Sequence, residues 1–182
     1  MKHFNNKSSF LKKLILTAMF VAIISVSSIF SIPFLGFPIT LQSFSIFLAL
    51  LILGGKLGTV AVALYIFIGA VGLPVFAGGG SGIGRLFDIT GGFIFGFFFA
   101  ALVYWLIVSI LKRRTAGKIF ALLISNLVLY VVGISWYVYA FDAAISVSLL
   151  LVFLPYLAFD AFKIAFAFYL ASRVEKIFKS LD

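Results

Sequence analysis

The chain of 182 residues is 64% hydrophobic, 18% aromatic and only 10% charged, a length that suits one domain and a composition that excludes an ordinary water-soluble one, since soluble chains run at roughly 45–50% apolar and about 25% charged. Its 14 Lys and Arg against 5 Asp and Glu give a formal charge of +9, which in a lipid-embedded chain reports the sidedness of loops rather than a nucleic-acid surface. With no cysteine, a disulfide framework, a thiol nucleophile and a thiolate metal site are all excluded.

A helix needs about 20 apolar residues to cross the hydrocarbon core, and six spans are predicted. A basic segment, 1–13, precedes the first, 14–31, which runs to Pro33 and is too long for the apolar region of a signal peptide. This span carries Ala18 and Ala22, four apart, with Ser25 and Ser28 continuing a small-residue strip. Such a strip lets helices approach closely, either within the bundle or against a partner.

The second span, 39–53, opens behind Pro38, which suits a first helical turn, and ends at Gly54 and Gly55. Gln42 is a lone amide in this apolar run, placed either for an interhelical hydrogen bond or for a ligand. The third, 57–73, stops at Pro74. No regular element is expected in the stretch that follows, which holds Gly78, Gly79, Gly80, Gly82, Gly84, Gly91 and Gly92. Glycine allows tight turns and close approach to a ligand, so the stretch reads either as a connector or as a lid. Arg85 within it can dock a carboxylate with its planar fork, and Asp88, three positions on, can orient Arg85 while the site is empty.

The fourth span, 90–111, closes at Lys112, Arg113 and Arg114. The fifth, 118–138, ends in Trp136, Tyr137 and Tyr139, an expected interfacial belt. The last segment can be cut as 147–170 or as Pro155 to about 175 behind a re-entrant piece at 145–154, and the second cut is preferred because proline suits a helix start; 177–182 is a short tail. The 14–176 region is thus one six-helix unit.

Charge assigns the sides. Lys2, Lys7, Lys12, Lys13, Lys56, Lys112, Arg113, Arg114, Lys118, Arg173, Lys176 and Lys179 fall on one face in a six-span reading, leaving Arg85 opposite and Lys163 inside a span. The expected fold is therefore all-α and polytopic, with six transmembrane helices, both termini cytoplasmic and the glycine-rich loop between helices 3 and 4 extracellular.

Asp160 and Lys163 do not belong in lipid, where a mid-membrane charge costs about 2.5–3.5 kcal/mol. Three apart, they share a helix face. They can offer a ligand one acceptor and one donor, or form a self-satisfied ion pair that fixes packing. The chain has no glycine-rich loop ending in Gly-Lys-Ser or Gly-Lys-Thr and no His-Glu-x-x-His, and its single histidine, His3, lies in the basic segment. An ATP site of its own and intramembrane metallohydrolase chemistry are not expected. Asp160 has no second membrane carboxylate to make an aspartyl protease. Binding and transport, rather than an enzyme, remain.

Ile39-Thr40-Leu41-Gln42, the run from Gly72-Leu73-Pro74 through Phe76-Ala77-Gly78-Gly79-Gly80 to Thr90-Gly91-Gly92-Phe93, and Pro155 with Asp160 and Lys163 resemble the BioY family, the biotin-specific S-components of energy-coupling factor transporters. The resemblance covers roughly 14–172 in the family's order and spacing. Asp88-Ile89 and Ala158-Phe159 depart from it, standing where many members have Gly-Pro and Pro-Gly. It implies a six-helix, multi-pass subunit of a prokaryotic plasma membrane that captures biotin outside and topples to release it inside. It further implies a transmembrane T-component, which Ala18 and Ala22 would face, and two ATP-binding-cassette ATPase subunits. No cofactor, metal or nucleic acid is implied.

Under that resemblance Asp160 accepts a ureido N–H and Lys163 donates to the ureido carbonyl or the carboxylate, while Arg85 helps hold the carboxylate. Phe76, Tyr156 and the backbone of Gly78 and Gly79 line the apolar part, with Asp88 and Gln42 beside them. The competing readings are an S-component for another vitamin such as thiamine, a self-sufficient carrier using Asp160 as its relay, and a structural membrane protein.

Overall fold

The structure, a computed structural model, describes residues 2–34, 37–111, 115–142, 144–145 and 154–181, with side chains described over 10–34, 37–111, 115–142, 144–145 and 154–175. Helices dominate because lipid offers backbone N–H and C=O groups no alternative partner. Helix α1 (Lys2–Ile29) leads into a hairpin of β1 (Ser31–Phe34) and β2 (Phe37–Thr40). Then follow α2 (Gln42–Val71), α3 (Gly91–Ile110), α4 (Thr115–Phe141) and α5 (Leu154–Leu181).

Among the described residues five helices, not six, are long and apolar enough to cross a membrane. The spans expected at 39–53 and 57–73 form the single 30-residue element α2, interrupted at Gly54, whose φ of 78° and ψ of 168° are not helical. The chain folds back there. A Cβ on Gly58 would lie 2.9 Å from the Leu50 Cα, although eight residues along a straight helix are about 12 Å apart. The first arm, 42–53, extends only about 18 Å, short of the roughly 30 Å core. The six-span count is therefore corrected, and with it the assignment of both termini to the cytoplasm and of the glycine-rich loop to the exterior, which rested on that count.

Pro38 does not open a helix either. It pairs with Pro33 across the hairpin, in the register Ser31 to Thr40, Ile32 to Ile39 and Phe34 to Phe37. Each proline disfavours helix in the residue before it, and a two-stranded ribbon has only edges, where a missing N–H is tolerated. The helix consequently starts at Gln42. At the sixth span the expectation holds better, with α5 beginning at Leu154 and Pro155 in its first turn. The re-entrant piece expected at 145–154 lies largely outside the described residues, as do Lys112, Arg113 and Arg114.

The segment from α2 to α3 is more ordered than expected. Short 3₁₀ turns occupy Ala77–Gly79 and Ile83–Leu86. The Gly82 N–H donates to the Gly69 carbonyl at 2.7 Å and the Phe76 N–H to the Gly80 carbonyl at 2.9 Å. Gly78 and Gly79 take φ of 68° and 77°, left-handed values that side chains other than glycine rarely adopt.

The first arm of α2 is sheathed on all sides, with Ile46, Phe47, Leu50 and Ala49 at 1% exposure or less. Around it pack Ile24 of α1, Tyr65 of the second arm, Ala101 and Tyr104 of α3, Leu122 of α4 and Ala167 of α5. Glycines set the close approaches: a Cβ on Gly55 would meet the Trp105 backbone at 2.6 Å, and one on Gly96 the Leu129 side chain at 2.9 Å. Thr59 Oγ1 crosses from α2 to the Ala101 carbonyl at 3.0 Å. Exposed Leu14, Ile23, Phe67, Leu106, Leu127 and Phe162 form an outer surface suited to lipid.

On α1 the small-residue strip divides. Ala18 and Ala22 face outward, whereas Ser25 and Ser28 are buried. Ser28 Oγ donates to the Val75 carbonyl beyond α2, and Ser27 meets Ser45 at 2.7 Å. Of the expected belt, Trp136 Nε1 donates to the Asp88 carbonyl at 3.1 Å and Tyr137 packs edge-on to Phe37 at 5.1 Å, so both are tied into the structure. Only Tyr139 stands exposed.

Candidate ligand-binding site

The hairpin, the start of α2, the 72–90 segment, the first turns of α3 and α5 and the Leu129–Tyr130 turn of α4 meet at one end of the bundle around a cavity of about 340 Å³. A volume near the lower end of the usual 300–1,000 Å³ range suits one small molecule.

Polar groups gather at its base. Asp160 is 4% exposed. Its Oδ1 accepts from Ser43 Oγ at 2.9 Å and from Lys163 Nζ at 3.1 Å, and its Oδ2 accepts from the Tyr130 hydroxyl at 2.7 Å. Lys163 Nζ also donates to Ser43 Oγ at 2.9 Å, closing a three-membered ring of hydrogen bonds. The helical i, i+3 spacing sets the Asp160–Lys163 contact. The start of α2 brings in Ser43, and α4 brings in Tyr130. An ammonium has three donors and a carboxylate about four acceptor positions. Among the described residues one donor on Lys163 and one position on Asp160 are left for a ligand.

Apolar walls rise from this base. Phe93, Ile94 and Phe97 of α3 face the cavity with Leu129 of α4, Phe37 of the hairpin and Phe76 of the loop. Phe76 is 2% exposed, its ring pressed onto Gly69 so closely that a Cβ there would come within 2.3 Å of it. Tyr156 lines the same space and donates its hydroxyl to the Phe37 carbonyl at 2.6 Å, strapping the hairpin to α5. Its ring meets Phe34 edge-on at 6.1 Å.

Arg85 also lines the cavity. Its Nη1 donates to Asp88 Oδ2 at 2.8 Å, with both side chains about two-fifths exposed. Gln42 is buried on the cavity wall, and its Nε2 has no hydrogen-bond partner among the described residues. Asp160, Lys163, Arg85, Gln42, Phe76, Gly78 and Tyr156 are thus brought together around one space, while Asp88 and Gly79 stand behind it. Sequence reasoning missed Ser43 and Tyr130, and also the α3 wall. A mid-span tyrosine two turns inside the aromatic end of α4 was the available signal for Tyr130.

The arrangement has a donor and an acceptor at its base, an apolar middle and a guanidinium near the loop. It can hold a small amphiphile with a hydrogen-bonding head and an anionic tail.

Residues 1–180 match the BioY family. The biotin transporter BioY of Thermotoga maritima is 37% identical over 171 residues, covering 92% of this chain and 98% of that protein. The probable biotin transporter BioY of Pyrococcus horikoshii is 35% identical over 164 residues, covering 90% and 96%. The crystal structure of the S-component for biotin from an ECF-type ABC transporter shares the fold, with a TM-score of 0.84 over 93% of both chains at 24% identity. A family match along almost the whole sequence, with relatives aligned nearly end to end, places this multi-pass membrane protein in the BioY family.

Proposed function

We propose that this chain is the biotin-binding S-component of an energy-coupling factor transporter, taking up biotin from outside the cell and releasing it inside. The observation that carries the reading is the Ser43–Tyr130–Asp160–Lys163 cluster at the base of an apolar cavity that Arg85 also lines. Biotin presents a ureido ring with two N–H donors and a carbonyl, an apolar bicycle, and a valerate tail ending in a carboxylate. Asp160 accepts a ureido N–H and the third donor of Lys163 reaches the ureido carbonyl. Phe76, Tyr156 and the backbone at Gly78 surround the bicycle, and Arg85 takes the carboxylate. The buried amide of Gln42 adds a donor to the wall. The names of the family relatives support the choice of biotin.

The sequence has no phosphate-binding loop, so the energy for release comes from a T-component and two ATPase subunits. The outward face of α1 at Ala18 and Ala22 docks the T-component.

Equilibrium binding of the purified chain to biotin, thiamine and riboflavin tests the reading. Biotin alone binds, and Asp160→Asn and Lys163→Ala each weaken it at least tenfold. Tighter binding of another vitamin, or parental affinity in both variants, overturns it. Ala18→Trp and Ala22→Trp abolish uptake in cells while sparing biotin binding. Uptake by proteoliposomes holding this chain alone would mark a self-sufficient carrier instead.

A further inference from the structure

We infer that Asp88 is a resident competitor for Arg85, giving way only to a ligand that brings an anion of its own. The inference rests on the biotin reading above and concerns which anions gain access to Arg85.

The guanidinium is parked between two groups. On one side Nη1 donates to Asp88 Oδ2 at 2.8 Å. On the other it lies against Gly80, where a Cβ would come within 2.5 Å of Nε, 3.0 Å of Cζ and 3.1 Å of Nη2. Gly80 is therefore the residue that leaves room for this pose. Asp88 is itself anchored: its Oδ1 accepts the Ile89 N–H at 2.7 Å, and its carbonyl accepts Trp136 Nε1 at 3.1 Å and the Gly91 N–H at 2.8 Å. Arg85 lines the cavity and Asp88 does not. With Nη1 held by Asp88, an incoming carboxylate that takes Nη1 as one prong of a two-pronged contact displaces Asp88.

The replacement exchanges one carboxylate for another, so the charge balance around Arg85 is conserved. A neutral tail cannot drive it. A small free anion can bring the charge, but it lacks the apolar body that would fill the rest of the cavity and hold it there. Asp88 thus keeps the only basic side chain of the 72–90 segment from gathering simple anions, at some cost in affinity for the true ligand. An exposed ion pair of this kind is worth a factor of about five at most, which sets the scale of the effect.

Titration calorimetry with biotin, biotin amide and acetate tests the exchange in the parent chain, Asp88→Asn, Arg85→Ala and the double variant. Asparagine keeps an oxygen for the Ile89 N–H while removing the charge. Asp88→Asn is expected to tighten biotin about three- to fivefold, to leave the amide within twofold, and to make biotin binding sensitive to 100 mM acetate, which the parent tolerates. The gain vanishes in the Arg85→Ala background, and Asp88→Ser reproduces the pattern of Asp88→Asn. Weaker or unchanged biotin binding in Asp88→Asn, or equal tightening of biotin and its amide, overturns the inference. A parent chain that binds neither overturns the biotin reading instead.

Discussion

The Tyr130 hydroxyl on α4 donates to Asp160 Oδ2 on α5 at 2.7 Å, across 30 residues of sequence. It is the donor that α4 supplies to a carboxylate whose other oxygen is occupied by Ser43 and Lys163. Both ends of the bond are buried, so no water replaces the donor at no cost. Hydrogen bonds to charged groups contribute about 1.5–3 kcal/mol. Tyr130→Phe is expected to lower biotin affinity about tenfold, because Asp160 is no longer held in place, and to lower thermal stability in detergent. A Kd measurement and a melting curve on the same preparation check both; unchanged values in each would leave the bond without a role.

Lys163 and Asp160 are a buried pair at 12% and 6% side-chain exposure, and pairs of this kind have a characteristic mutational pattern. Removing one member leaves an uncompensated charge and costs about 3–5 kcal/mol, whereas replacing both with apolar groups is often neutral. Lys163→Met alone and Asp160→Leu alone should therefore each destabilise strongly. The double variant should recover much of the loss while binding no biotin. Chemical denaturation of the four proteins measures the coupling, and simple additivity would show that the two charges do not act on each other.

The same pair explains what could be seen in the sequence. Asp160 and Lys163 are visible because charge in an apolar run is costly, and Arg85 because it stands alone among glycines. Ser43 and Tyr130 are ordinary residues for a membrane helix, and only the packing of α2 and α4 against α5 gives them their roles. The helix count failed at α2 because Gly54 and Gly55 mark a real break in the helix. The break does not by itself reveal that the arm before it is too short to cross. Pro38 fits a first helical turn as well as a hairpin strand, and the pairing with Pro33 decides between them.

Gly69 connects the middle of the chain to the cavity. A methyl group there would come within 2.3 Å of the Phe76 ring, and Phe76 is both buried and part of the wall. Gly69→Ala is expected to drive the ring toward the ligand, reducing biotin affinity at least tenfold and costing about 1–3 kcal/mol from overpacking. Gly84→Ala is the matched control, since a Cβ at Gly84 meets nothing within 4 Å. It should bind and melt like the parent. Equal behaviour of the two variants would show that Phe76 gives way without affecting the site.

Gly54 carries the fold-back of α2. Its φ of 78° with ψ of 168° lies in a region used essentially by glycine alone, and occupying it with another residue costs of order 1–3 kcal/mol. The neighbouring Gly55 has a helical backbone, but a Cβ on it would meet the Trp105 backbone at 2.6 Å, so its constraint is contact rather than conformation. Gly54→Ala should therefore destabilise through backbone strain while leaving the α2–α3 packing intact. Gly55→Ala should destabilise by separating α2 from α3. Cross-linking of cysteine pairs placed on the two helices, one near Gly58 and one near Ala101, tells the cases apart: Gly54→Ala retains the parental cross-link and melts earlier, while Gly55→Ala loses the cross-link as well. If Gly54→Ala melted like the parent, the reversal would not depend on glycine, and a strain-free turn at 54 would have to replace the one described.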